Sequence, residues 1–255
     1  MPAFHWWTAV GQAERGDKAG GACDPGHPPS SPNSARSRLL SDLPRSALPR
    51  VVIVGAGGHA KVVIEALRAA GFPPPLGLVD PHPPGPTVMG VTVLGGDEML
   101  PRLKAEGAEA AVVALGGNAL RLRVGDHLVS MGYALPVLLH PAAQISPSAR
   151  VAEGAVVMAR ACIGPDATLG RLAIVNTNAV VEHDNVIGSG AHVAPGCALA
   201  GNVTLGDRAL LGVGSAVRPG ITIGADAVVG AGSAVVRDVP AGARVGGAPA
   251  MPLRR

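Results

Sequence analysis

Every sixth residue from Ile145 to Val235 is Ile, Leu or Val, sixteen positions in succession: Ile145, Val151, Val157, Ile163, Leu169, Val175, Val181, Ile187, Val193, Leu199, Leu205, Leu211, Val217, Ile223, Val229 and Val235. A period of six is neither the 3.6 of a helix nor the alternation of a plain strand. Sustained hexads are the signature of a parallel β-helix. Four residues after each aliphatic stands a residue that is usually small: Ala149, Ala155, Ala161, Ala167, Ala173 and Ala179, then Asn185, Ala191, Cys197, Val203, Ala209, Ser215, Ile221, Ala227, Ser233 and Val239. That position lies two residues before the next aliphatic, so the two share a strand face and point inward. Three hexads per triangular coil give about five coils, roughly 4.8 Å apart, in a prism ~25 Å tall.

An interior this narrow needs aliphatic filling, and the composition supplies it. Hydrophobic residues make up 47% of the 255, aromatics only 2%, with Phe72 and Tyr133 the sole aromatics beyond the first seven residues. The formal charge is +3 and the basic residues are scattered, so no stripe points to nucleic acid. Cys23, Cys162 and Cys197 have neither CxxC nor zinc spacing, which predicts reduced thiols, no structural zinc and a cytoplasmic location. No apolar run reaches the ~18 residues needed to span a membrane. Residues 1–48, rich in Pro, Ser, Gly and Ala, read as a disordered tail or a non-native start.

Residues 49–140 have a different grammar. An apolar run, Arg50-Val-Val-Ile-Val54, meets Gly55-Ala-Gly57-Gly58-His59-Ala60 and then a helical pattern of Val62, Val63, Ala66, Leu67 and Ala70 ended by Gly71. Leu76–Val79, a helix near Asp97–Glu106 and the run Ala110–Leu115 complete a small parallel, Rossmann-like α/β sheet. Gly55, Gly57 and Ala60 match a G-x-G-x-x-G/A turn, with Asp80 ending the next strand. Such a turn brings backbone N–H groups to a phosphate; a tight strand-to-helix turn without any ligand uses the same glycines. The sheet is about half of a two-part dinucleotide fold, so a mononucleotide or nucleotide-sugar fits better than NAD. His59, in the first turn of that helix, can donate to a phosphate or sugar oxygen, or simply stand exposed to solvent at the helix N-terminus.

Within the hexads, 141–240, His183 and His192 fall off the inward register and should face outward. Glu182-His183-Asp184 flanks an imidazole with carboxylates, the composition of a general base, although such a triplet is more commonly a solvated charged turn.

The segment Asn176-Thr-Asn-Ala-Val-Val-Glu-His183-Asp184-Asn-Val-Ile-Gly188, with His192 and Ala200-Gly-Asn202, resembles the hexapeptide acyltransferases, specifically the bacterial nucleotide-amino-sugar N-acetyltransferases and sialic-acid O-acetyltransferases. The likeness continues through the Gly55–His59 turn, Leu115-Gly-Gly-Asn118, His140-Pro-Ala, Ile145-Ser-Pro-Ser-Ala149 and Val245-Gly-Gly-Ala-Pro249. It implies an α/β domain followed by an all-β left-handed parallel β-helix, a homotrimer with sites between subunits, and acetyl-CoA as donor. By the same resemblance His183 is the catalytic base and Asp184 its acidic neighbour. His192, Val213 and Ala231 would contact acetyl-CoA, the last two stacked eighteen residues apart. Gly57, Gly58, His59, Asp80 and Gly116 would hold the nucleotide-sugar. Residues 241–255 form a C-terminal tail in which Arg254 or Arg255 would meet CoA phosphates. The implied reaction is direct N-acetylation of a UDP- or GDP-linked 4-amino-deoxysugar, without metal or covalent acyl-enzyme. Sialic-acid O-acetylation is the nearest alternative. A non-catalytic scaffold and a carbonic-anhydrase-like metalloenzyme, which needs three histidines where the hexads hold two, stand further off.

Overall fold

A computed structural model describes residues 48–253, so the expectations for the first 47 residues and for Arg254 and Arg255 lie outside the described residues. The first core forms around strand β1 (Val51–Val54), whose four side chains are all buried. Helix α1 (Gly58–Ala69) buries Ala60, Val63, Ile64, Ala66 and Leu67, a stripe at three- and four-residue spacing, and stops where Gly71 takes a positive φ. Next come β2 (Leu78–Val79), β3 (Thr87–Val88), β4 (Val91–Gly95), a 3₁₀ turn at Asp97–Met99, α2 (Leu100–Ala105), β5 (Ala110–Val113) and α3 (Asn118–Ser130). The sheet order is β3-β4-β2-β1-β5, parallel except for the β3–β4 hairpin at one edge. The hairpin and α3 are additions to the strand–helix–strand–helix–strand pattern expected from sequence.

From Leu138 onward the chain winds in coils of eighteen residues, with two-residue strands in three parallel faces. The first face stacks six strands from Gln144–Ile145 to Ala234–Val235, and the second five from Arg150–Val151 to Thr222–Ile223. The third runs from Leu138–Leu139 to Val228–Val229, then takes on Arg244–Gly246 and the antiparallel Met251–Pro252. Pairings such as Cys162↔Val180, Thr168↔Val186 and Ile174↔His192 give the eighteen-residue step on each face. This is the parallel β-helix that the hexads require, consistent with the left-handed coil that the resemblance implies.

Corners repeat as strictly as strands. The third residue after each aliphatic from Val151 to Val229 sits in the left-handed region: Gly154, Gly190, Gly196, Gly214, Gly220 and Gly232 among glycines, and Asp166, Asn178, Asp184, Asn202 and Asp226 among Asp and Asn. Asp and Asn tolerate this conformation better than most side chains, so a corner can carry a carboxylate at little cost. The interior is aliphatic, each fully buried Val, Leu or Ile contributing about 1.5–3 kcal/mol. Its polar members are few and mostly bonded: Asn185 Oδ1 accepts from Val203 N–H at 2.5 Å, and the Ser215 and Ser233 hydroxyls donate to Gly230 O.

The α/β domain covers the third face. Leu138, Val156 and Met158 join the core beneath α1, and Leu172 closes the core beside α3. A Cβ at Gly125 of α3 would collide with Leu172 Cδ1, so this close approach requires glycine.

Candidate active site

The strand order reverses direction of travel between β1 and β5, and a crevice opens at the carboxyl ends of such neighbouring strands. Both helices that start there, α1 and α3, have a glycine N-cap, Gly57 or Gly117, and no side chain capping them. Their first N–H groups are therefore available to an anion. Gly57, Gly58 and Gly116 have open space where a side chain would stand. Gly55, at φ +106, could not carry one: its Cβ would meet Ala114 O at 2.8 Å. Asp80 braces the turn, Oδ2 accepting from Ala56 N–H at 2.7 Å and Oδ1 from His82 N–H at 2.8 Å. The acidic residue at the end of β2 thus shapes the glycine turn directly.

His59 and His192 are found in the seam between the two parts of the molecule, their rings 6.5 Å apart. His192 does point out of its coil, but onto the third face, which the α/β domain covers. Reasoning from the coil register places it at the surface; the neighbouring domain makes it half-buried. Asn176 Oδ1 accepts from Thr177 N–H, so its amide NH₂ faces His192 Nε2 at 3.2 Å, an arrangement that assigns the imidazole proton to Nδ1. His59 has its Nε2 enclosed without a partner. Burial, then the nearby Arg121 guanidinium, hold both imidazoles near pKa 4, with His59 adding to the effect at His192.

These low values predict an acid limb in stability. Between pH about 6.5 and 4 the unfolded chain binds protons that the folded chain refuses, so stability falls as pH drops through that window and changes no further below it. The loss is on the order of 3 kcal/mol per histidine at its acid end. Melting temperatures measured from pH 7.5 to 4 should show it, and an H59N/H192N double variant should flatten the limb.

His183 occupies a different place, the corner between the first and second faces. Its side chain is 58% exposed, and Nδ1 lies 2.8 Å from Asp184 Oδ2. A carboxylate only accepts, so Nδ1 carries the proton and the Nε2 lone pair is left free, the tautomer a general base requires. One coil above, Gly201 has no Cβ because the imidazole takes that volume; a Cβ there would lie 3.0 Å from Nδ1 and inside contact distance of Cε1 and Nε2. Amides at this corner position point away from the ladder: those of Thr177 and Ser189 bond side-chain oxygens, while no backbone partner takes that of Gly201. Asp184 sits at φ 59, where Asn is also comfortable. Changing Asp184 to Asn therefore removes charge while keeping the corner, and should lower kcat about tenfold with little change in melting temperature, a smaller loss than in a buried His–Asp pair because solvent screens this one.

Val213 and Ala231 stack on a third corner, between the third and first faces, with Gly232 N–H donating to Val213 O at 2.8 Å. Both are exposed, Val213 by 54%. One chain thus brings His59 and His192 together and stacks Val213 on Ala231, but leaves His183 on a separate edge. Sequence reading quoted Asn176 and Gly201 without assigning them a role and passed over Arg121, a fully buried guanidinium on α3. Cys197 is buried inside the coil, its thiol bonded to Gly212 O at 3.1 Å, and burial pushes its pKa up, away from nucleophilic use. Among the described residues no three His, Cys, Asp or Glu side chains converge as a metal site would require.

Residues 50–128 match the family model of the PglD N-terminal domain, and residues 202–237 that of the hexapeptide repeat of succinyl-transferase. A crystal structure of PerB from Caulobacter crescentus in complex with CoA and GDP-perosamine shares 48% identity, covering 82% of this chain and 99% of that one, at a TM-score of 0.78. The acetyltransferase domain of PglB from Neisseria gonorrhoeae in complex with acetyl coenzyme A shares 37%, covering 81% and 100%, at 0.77. WeeI from Acinetobacter baumannii shares 25%, covering 80% and 99%, at 0.66. No curated protein sequence matches. With the glycine turn, the hexad prism and the cornered histidine carried on a chain that spans these relatives almost end to end, the protein belongs to the PglD-type hexapeptide-repeat N-acetyltransferases.

Proposed function

We propose that the protein acetylates the amino group of a UDP- or GDP-linked 4-amino-deoxysugar, taking the acetyl group from acetyl-CoA. The observation that carries this reading is the His183–Asp184 pair, with its Nδ1–carboxylate bond, its unengaged Nε2 and its seat over Gly201. His183 Nε2 removes a proton from the sugar amine as the nitrogen attacks the thioester carbonyl carbon. The Gly201 N–H, which no backbone acceptor takes, is assigned to the oxyanion that forms. When the C–S bond breaks, the CoA thiolate leaves and takes the proton back from His183.

In this reading Gly57, Gly58, His59, Asp80 and Gly116 hold the nucleotide-sugar, and His192, Val213 and Ala231 border the pantetheine arm. His183 lies on another edge of the prism, so the cleft is completed by a neighbouring copy, and we propose a homotrimer. Two relatives support the chemistry: PerB is described with CoA and GDP-perosamine, and with one histidine replaced by alanine or asparagine; the PglB domain is described with acetyl coenzyme A. Among the described residues no helix is long and apolar enough to cross a membrane, and a cytoplasmic enzyme would meet both proposed substrates.

The test is thiol release from acetyl-CoA with GDP-perosamine, UDP-linked 4-amino-sugars and free sialic acids. Release with a nucleotide amino sugar, with mass spectrometry placing the acetyl group on nitrogen, supports the proposal. Release with sialic acid alone overturns it in favour of O-acetylation.

A further inference from the structure

Arg121 is the one fully buried charged side chain among the described residues, 1% exposed, and none of their ion pairs includes it. A buried guanidinium without a carboxylate is costly unless its donors are satisfied, and an aliphatic side chain would fill the space without that cost. Here oxygens satisfy it. Nη1 donates to Leu115 O at 3.0 Å and Gly116 O at 3.2 Å, and Nε to Leu172 O at 2.9 Å. Nη2 donates to Gly190 O at 2.7 Å, Ala191 O at 3.4 Å and Asn118 Oδ1 at 2.9 Å. These acceptors belong to two parts of the molecule. Leu115 and Gly116 form the loop after β5, beside the glycine turn at Gly55. Gly190 and Ala191 form the corner leading into His192. Asn118 reinforces the link, its Nδ2 donating to Arg208 O and Ala209 O one coil above that corner.

We infer that Arg121 is a positioning residue for acetyl transfer, tying the nucleotide-sugar loop at Leu115–Gly116 to the corner that carries His192 so that acceptor and donor are held in one register. The inference rests on the acetyltransferase reading above. Alignment of two bound reactants is sensitive to small displacements, since an error near 1 Å can lower a rate about a hundredfold without touching the reacting atoms. Arg121 also faces His59 and His192 and helps to keep both neutral. Its removal therefore has a second, spectroscopic consequence.

The experiment uses R121Q, R121K and N118A in the full chain. In R121Q, kcat should fall by about tenfold to a hundredfold while CoA alone and the nucleotide-sugar alone each bind within about threefold of wild type. The ring resonances of His59 and His192 should titrate at higher pH than in wild type. R121K keeps the charge with fewer donors, so it should restore the histidine titration but not kcat. A folded R121Q with wild-type kcat, or with unchanged histidine titrations, overturns the inference. If R121Q does not fold, N118A decides: a severalfold loss in kcat at unchanged ligand affinity supports it, and wild-type kcat overturns it. Absence of wild-type turnover with every nucleotide amino sugar overturns the acetyltransferase reading and this inference with it, whereas equal turnover in wild type and R121Q overturns this inference alone.

Discussion

Replacing His183 with alanine is expected to lower kcat by a factor of about 10² to 10⁴ and to leave the affinity for acetyl-CoA within about threefold. The amine of an amino sugar must lose a proton as it forms the amide. His183 Nε2, its partner nitrogen already committed to Asp184 at 2.8 Å, is the lone pair set out for that proton. The acetyl-CoA contacts proposed for His192, Val213 and Ala231 lie on other parts of the prism, so donor binding should survive. The ring is 58% exposed and carries no core contact, so the melting temperature should hardly move. Steady-state kinetics beside calorimetric titration with CoA separates the two effects. Turnover near the wild-type rate in H183A would remove His183 from the mechanism.

Gly201→Ala should be the most damaging change that leaves His183 itself in place, lowering kcat about a hundredfold or more. Gly201 does not adopt a left-handed φ, so alanine meets no backbone strain there. The added methyl would occupy the volume of the imidazole, with Cβ 3.0 Å from Nδ1 and closer still to Cε1 and Nε2. The exposed ring can rotate away, so little stability is lost, but rotation breaks the bond to Asp184 and swings Nε2 from its place. Serine at the same position should act alike. A crystal structure of G201A showing a displaced ring, with kcat depressed and melting temperature unchanged, is the expected result. An undisplaced ring with full activity would show that the seat has no catalytic consequence.

Much of this is legible in the chain because the β-helix is local. Each coil repeats after eighteen residues and each side chain's direction follows from its place in the hexad, so spacing alone assigns Val181, Asn185 and Ile187 to the interior and His183 to the outside. The glycine turn, α1 and the 3₁₀–α2 segment are legible for a similar reason, the apolar stripes and turn residues standing next to one another. Helix α3 is not. Its buried face is Arg121, Gly125 and Leu128 rather than an apolar stripe, because it packs closely on Leu172 and carries the guanidinium that spans the seam. The hairpin of β3 and β4 escapes sequence reading because two-residue and half-exposed strands leave almost no alternating pattern.

The sequence by itself determined the solenoid, its register, the small α/β domain before it and the pair of candidate histidines in the hexads. These depend on contacts that recur at constant spacing. Only the tertiary structure decided the environments. It covered the third face with the α/β domain, turning His192 from a surface residue into one held neutral beside His59 and Arg121. It left His183 exposed on another edge, over a glycine eighteen residues away. Burial and the field at an ionisable group depend on what packs from outside the repeat, and no periodicity within one strand encodes that.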